Sequence, residues 1–165
     1  MARPPASPAK PSARSSARAL DRGVLPSLLG YALRRAQSAV FADFAGTFTR
    51  AGEALTPGEF GLLVLVDGNA GLSQIALARA LGIDRSTLVP ILNRLQARGL
   101  LLRNASPTDG RTHALALTPA GEKALARFGR LVRTHERRIA SGLSAAETRS
   151  LIELLDKVRR AARPL

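Results

Sequence analysis

Residues 72–121 restrict the fold more than any other part of this chain. They read LSQIALARALGIDRSTLVPILNRLQARGLLLR and then NASPTDGRTHALALTPAG. The first segment predicts two short helices joined by a tight turn. Ile75, Leu77, Ala78 and Leu81 supply an apolar stripe on the first helix, and Gly82 ends it where a left-handed turn is needed. Asp84 caps the second helix, with Arg85, Ser86 and Thr87 in its first turn. Leu88, Ile91, Leu92 and Leu95 recur at the i, i+3, i+4, i+7 spacing and are expected to face inward. The opposite face carries Ser86, Pro90, Asn93 and Ala97, flanked by Thr87 and Arg94. Such a small, polar and partly basic front suits the major groove of DNA.

Gly99 stops the second helix, residues 100–103 read as a strand, and residues 114–117 as its return. The turn between them is rich in turn formers and carries Arg111 near its tip. The expected fold is therefore mainly α with a small β-wing, a winged helix-turn-helix.

Charge supports this reading. The formal net charge is +13, and its distribution matters more than its size. Residues 84–118 hold five basic and two acidic side chains, whereas residues 23–83 hold four of each. A basic reading head beside a neutral body is the electrostatic footprint of a nucleic-acid binder. The chain has no cysteine, so disulfides, thiolate nucleophiles and Cys-based zinc sites are excluded. Two histidines, His113 and His135, are too few for a His-based metal cluster within one chain. No apolar run approaches the roughly 20 residues that span a bilayer. There is no Gly-rich phosphate loop, nucleophile elbow or paired His and carboxylate at helical spacing. Neither catalysis, nor a metal, nor a cofactor is expected, and the expected location is the cytoplasm, on the nucleoid when bound to DNA.

Around the reading head the chain is expected to be helical. Residues 1–22 are expected to form an Arg-, Pro- and Ser-rich basic arm with almost no large apolar side chain, too polar to order itself. Residues 23–165 form the folded part. Within it, a helix is expected over residues 24–48, a DNA-binding lobe over 56–118, and further helices over 119–162. Thr56, Pro57 and Glu59 make a capping box that opens a helix apolar almost all round, Thr118 caps the helix after the wing, and Ser144 with Glu147 caps the last one. Leu151, Leu154, Leu155 and Val158 are expected to point inward from that last helix. Three long amphipathic helices exceed what one winged-helix domain needs, and so ask for a partner surface.

Asp109, Gly110, Arg111, Leu115, Leu117, Thr118 and Gly121 carry a wing signature. With Asp84-Arg85-Ser86-Thr87 and Leu95-Gln96-Ala97-Arg98-Gly99-Leu100 ahead of them, the pattern resembles the MarR family of bacterial transcription regulators over roughly residues 25–160. The resemblance implies a homodimer on double-stranded DNA, at an inverted-repeat operator with half-sites about one helical turn apart. Absence of cysteine excludes the branch of that family that senses peroxide. Expected DNA contacts are Ser86, Thr87, Pro90, Asn93 and Arg94 in the groove, with Asn93 able to read adenine and Arg94 guanine. Arg85, Ser73 and Gln74 are expected at phosphates. By resemblance, Arg111 enters the minor groove and Asp109 braces the wing.

The resemblance also implies a small-molecule effector that releases the DNA. Residues 30–44 are similar to a subgroup that regulates aromatic-acid catabolism and answers to hydroxycinnamoyl or related aroyl-CoA thioesters. Tyr31, Phe41, Phe44, Phe60 and Phe128 are candidates to receive an aromatic ring, Arg34 and Arg35 to meet the CoA phosphates, and His135 to join them. The competing reading is an architectural nucleic-acid binder that uses charge without choosing sequence.

Overall fold

Capping side chains fix where most helices begin. A computed structural model describes residues 20–69, 71–105 and 113–162. Six α-helices and one hairpin follow in order: α1 (Leu29–Arg50), α2 (Pro57–Asp67), α3 (Gln74–Leu81), α4 (Arg85–Ala97), β1 (Leu101–Ala105), β2 (His113–Leu117), α5 (Pro119–Ile139) and α6 (Ala145–Ala161). At α2 the Thr56 hydroxyl accepts from the Glu59 amide at 3.1 Å, and the Glu59 carboxylate accepts from the Thr56 amide at 2.9 Å. Ser144 and Glu147 form the same reciprocal pair at α6. Ser73, Asp84 and Thr118 each accept from a first-turn amide of α3, α4 and α5. These side chains satisfy amides that a helix start otherwise leaves without partners.

The described residues divide into two compact units, one ending at Arg35 and the other starting at Ala36. In the first, the expected helix from residue 24 is corrected. Leu25–Ser27 is a short 3₁₀ turn, Leu28 is extended, and α1 starts at Leu29. The Ser27 amide and hydroxyl both donate to the Val24 carbonyl, at 3.1 and 2.8 Å. That carbonyl would otherwise accept the fifth amide of a continuing α-helix.

In the second unit the core is built from Phe44 and Phe48 of α1, Leu62, Leu63 and Val66 of α2, Leu77 of α3, and Leu88, Leu92 and Leu95 of α4. Leu55, Leu100, Leu101, Leu115, Ala124 and Phe128 complete it. The strands pair antiparallel with Leu101 opposite Leu117 and Arg103 opposite Leu115. A bridge from Ser73 to Ala114, with the Leu115 amide on the Leu72 carbonyl at 3.2 Å, ties the hairpin to the start of α3.

Three packing expectations are corrected. Ile75 is 67% exposed, because it lies about 200° round the helix from the fully buried Leu77 and both cannot face one core. Val64 is 45% exposed, so α2 has one open edge. In α6 no residue is buried, and Leu151, Leu154 and Leu155 face away from the rest of the chain.

Candidate nucleic-acid interface

Helices α3 and α4 are joined by Gly82 in the left-handed conformation, φ 65°. The Ile83 amide returns to the Ala78 carbonyl at 3.1 Å, which closes the end of α3 and aims the chain into α4. Leu88, Leu92 and Leu95 are fully buried, and Ile91 is partly so. The inward stripe of α4 is as its periodicity implies, and Ser86, Thr87, Pro90, Asn93, Arg94 and Ala97 are left exposed. Ser73 and Gln74 stand at the N-terminus of α3, and Arg85 is the exposed first residue of α4.

Hydrogen bonds constrain several of these side chains. The Asp84 carboxylate accepts the Thr87 amide at 2.7 Å, the Ser86 hydroxyl at 2.6 Å and the Thr87 hydroxyl at 3.1 Å. These donors, the Ser86 hydroxyl foremost, hold the Asp84 carboxyl below its ordinary pKa. Arg94 Nε donates to Glu59 Oε1 at 3.1 Å, so the reading helix is tied to the capping box of α2. Arg103 of β1 donates to Asn93 Oδ1 at 2.7 Å. Neither partner was expected from sequence. Glu59 reads as a cap by local spacing, but its bond to Arg94 spans 35 positions. For Arg103 a signal exists: strand alternation places it on the same side as buried Leu101, where a cation needs a partner. Asp109, Gly110 and Arg111 lie outside the described residues, as does the arm over residues 1–19.

The expected effector residues divide. Phe44, Phe128 and His135 are buried at 4%, 1% and 2% exposure, and act as core rather than as lining of an open cavity. Phe44 stacks on Phe48 at 4.5 Å, and Phe48 meets Phe128 at 5.7 Å. His135 Nδ1 is 2.6 Å from Asp43 Oδ1; an ionised carboxylate can only accept, so the ring nitrogen donates. Arg138 donates to both Asp43 oxygens, at 2.6 and 2.7 Å, and also to the Thr47 hydroxyl. Phe41 is 47% exposed. In the first unit the Arg35 guanidinium lies 5.8 Å over the Tyr31 ring, and Arg34 is exposed. Phe60 lines a groove. That groove, about 520 Å³ between α2 and α5, has Phe60, Val64, Leu125 and Gly129 as its apolar wall and Arg130 and Arg133 at its edge. Among the described residues there is no cluster of three metal-binding side chains, and no helix is long and apolar enough to cross a membrane.

A capped helix pair with a polar front, backed by a two-stranded wing and flanked by long helices, defines a winged helix-turn-helix DNA-binding regulator. Residues 55–112 match the MarR family. Over 148 residues the chain is 43% identical to a proposed transcriptional regulatory protein for the hcr operon of Thauera aromatica, spanning 90% of this chain and 89% of that one. Two solved structures of the transcriptional repressor CouR are similar throughout. The one bound to a 23-mer DNA duplex is 42% identical with a TM-score of 0.79, over 85% of this chain and 98% of that one. The one bound to p-coumaroyl-CoA is 41% identical with a TM-score of 0.78, over 86% and 98%. The chain belongs to the MarR family. Its relatives at 41–43% identity are transcriptional regulators, and this chain is a DNA-binding transcriptional regulator of the same family.

Proposed function

We propose that the protein represses an operon for the breakdown of aromatic acids and leaves its operator when an aroyl- or hydroxycinnamoyl-CoA thioester binds. One observation carries this reading: a repressor 41–42% identical over almost its whole length is known both on DNA and with p-coumaroyl-CoA. The groove between α2 and α5 is chemically suited to such a molecule, with Phe60, Val64 and Leu125 for an aryl ring and Arg130 and Arg133 for anionic groups. In this reading Ser86, Thr87, Pro90 and Asn93 meet base edges, and Arg85, Ser73 and Gln74 meet phosphates, with Arg111 in the adjacent minor groove. Arg94 serves first as a strut to Glu59. The protein acts in the cytoplasm without catalysis.

The test is fluorescence anisotropy of the full chain on the DNA upstream of its own gene, against a scrambled duplex at the same salt. Binding at least a hundredfold tighter to the first is expected. Adding p-coumaroyl-CoA releases the DNA, whereas free coenzyme A does not. Retention of the operator at saturating thioester would overturn the ligand class, and equal affinity for both duplexes would favour the architectural reading.

A further inference from the structure

We infer that the exposed face of α4 has a fixed hydrogen-bond polarity, accepting at its first turn and donating at Asn93, and that Arg103 sets the donating half without touching DNA. This rests on α4 being the helix that enters the major groove.

The accepting half follows from Asp84. An ionised carboxylate carries no hydrogen, so the protons of its contacts at 2.6 and 3.1 Å come from the Ser86 and Thr87 hydroxyls. Both hydroxyls have spent their hydrogen, and only oxygen lone pairs remain for a ligand. Pro90 adds to the same polarity: it has no amide hydrogen to give the Ser86 carbonyl one turn back. The first turn therefore offers acceptors, matching the exocyclic amines of cytosine or adenine.

The donating half follows from Arg103. A guanidinium donates and never accepts, so the Asn93 atom 2.7 Å from it is the oxygen. This chemistry fixes the orientation of the amide and turns its NH₂ away from the wing strand. An adenine pair needs the oxygen and the NH₂ of one amide together. With one lone pair of that oxygen taken by Arg103 and the amide plane set by the bond, Asn93 leads into the groove with its NH₂, whose donors match guanine N7 and O6. The expectation that Asn93 reads an A·T pair at its adenine is thus replaced by a preference for a G·C pair read at its guanine. Arg103 is a positioning residue for specificity.

The experiment is selection by the full-length protein from a pool of duplexes with a randomised 24-base-pair core, followed by sequencing. The base pair read by Asn93 is the one whose preference collapses in Asn93→Ala, and that read by Ser86 the one that collapses in Ser86→Ala. The wild type is expected to enrich a G·C pair at the first, and to show at the second a preference that the Ser86 hydroxyl carries. Arg103→Met frees the Asn93 oxygen, and adenine should rise about tenfold at the first position while the rest of the half-site is kept. Arg103→Lys keeps a donor on the strand and should retain the wild-type preference, so the inference stays open to refutation if Arg103→Met fails to fold. An A·T pair at the Asn93 position of the wild type, or an unchanged profile in folded Arg103→Met, overturns the inference and leaves the regulator reading intact. A pool with no enriched sequence overturns both.

Discussion

A Cβ on Gly121 would stand 2.1 Å from the carbonyl oxygen of Leu100, far inside any permitted contact. The closeness has its cause three residues earlier: Thr118 both caps α5, accepting the Gly121 amide at 2.8 Å, and reaches back to donate to the Gly99 carbonyl at 2.6 Å. The Thr118 amide also bonds the Leu100 carbonyl at 3.1 Å. The first turn of α5 is thereby drawn onto the end of the reading helix, and only a residue without a side chain fits between. Gly121→Ala should destabilise the fold by about 1–3 kcal/mol, since backbone must move on both sides. Urea denaturation measures this, and an unchanged midpoint would mean that the turn yields freely. The Leu-Thr-x-x-Gly pattern was legible as a motif, yet its reason was not, because Leu100 approaches from 21 positions away. The same division runs through the site. Asp84 as a cap is a local property of DRST, whereas Arg103 on Asn93 and Arg94 on Glu59 depend on tertiary placement.

Between elements, α1 and α5 are joined by polar contacts as well as by the phenylalanine core. Asp43 of α1 receives Arg138 at both oxygens and His135 at one, all from α5. The Arg138 bonds, followed by that of His135, hold the Asp43 carboxyl far below its ordinary value of 3.8. A depressed folded value means that the unfolded chain binds more protons. The contribution is therefore fully present above about pH 4, and fades as pH falls below 3.8 toward the folded value. Asp43→Asn should be less stable than wild type at pH 7, with the gap narrowing as pH is lowered below 4. Thermal melts of both proteins from pH 7 to pH 3 test this; a gap independent of pH would refute the electrostatic cause. At this scale the sequence was most informative about helix starts with strong caps, at Thr56, Asp84, Thr118 and Ser144. It misled where no cap exists. The apolar run before Leu29 continues a helical pattern, but Ser27 diverts the Val24 carbonyl, and periodicity alone does not register that competition.

Among the described residues, α6 leaves a contiguous apolar stripe open. Leu151, Ile152, Leu154 and Leu155 of α6 are 44%, 63%, 55% and 41% exposed, and α6 buries no residue of its own. The sequence marks this stripe as inward-facing, and within a single chain nothing covers it. A stripe at the i, i+3, i+4, i+7 spacing on an isolated helix face is a natural self-complementary contact for a two-fold dimer. Leu154→Glu with Leu155→Glu would place four like charges at such a contact across the two copies, and should give a monomer by sedimentation. The two reading heads then bind independently. The second half-site contact ceases to be intramolecular, and operator affinity should fall by about 10²–10⁴-fold. Each head still carries its own cations, so the logarithmic salt dependence of binding should drop to about half that of the dimer rather than vanish. A halved slope with retained helical content would separate loss of the partner from loss of the fold. A tight dimer in the double variant would show that α6 is not the contact.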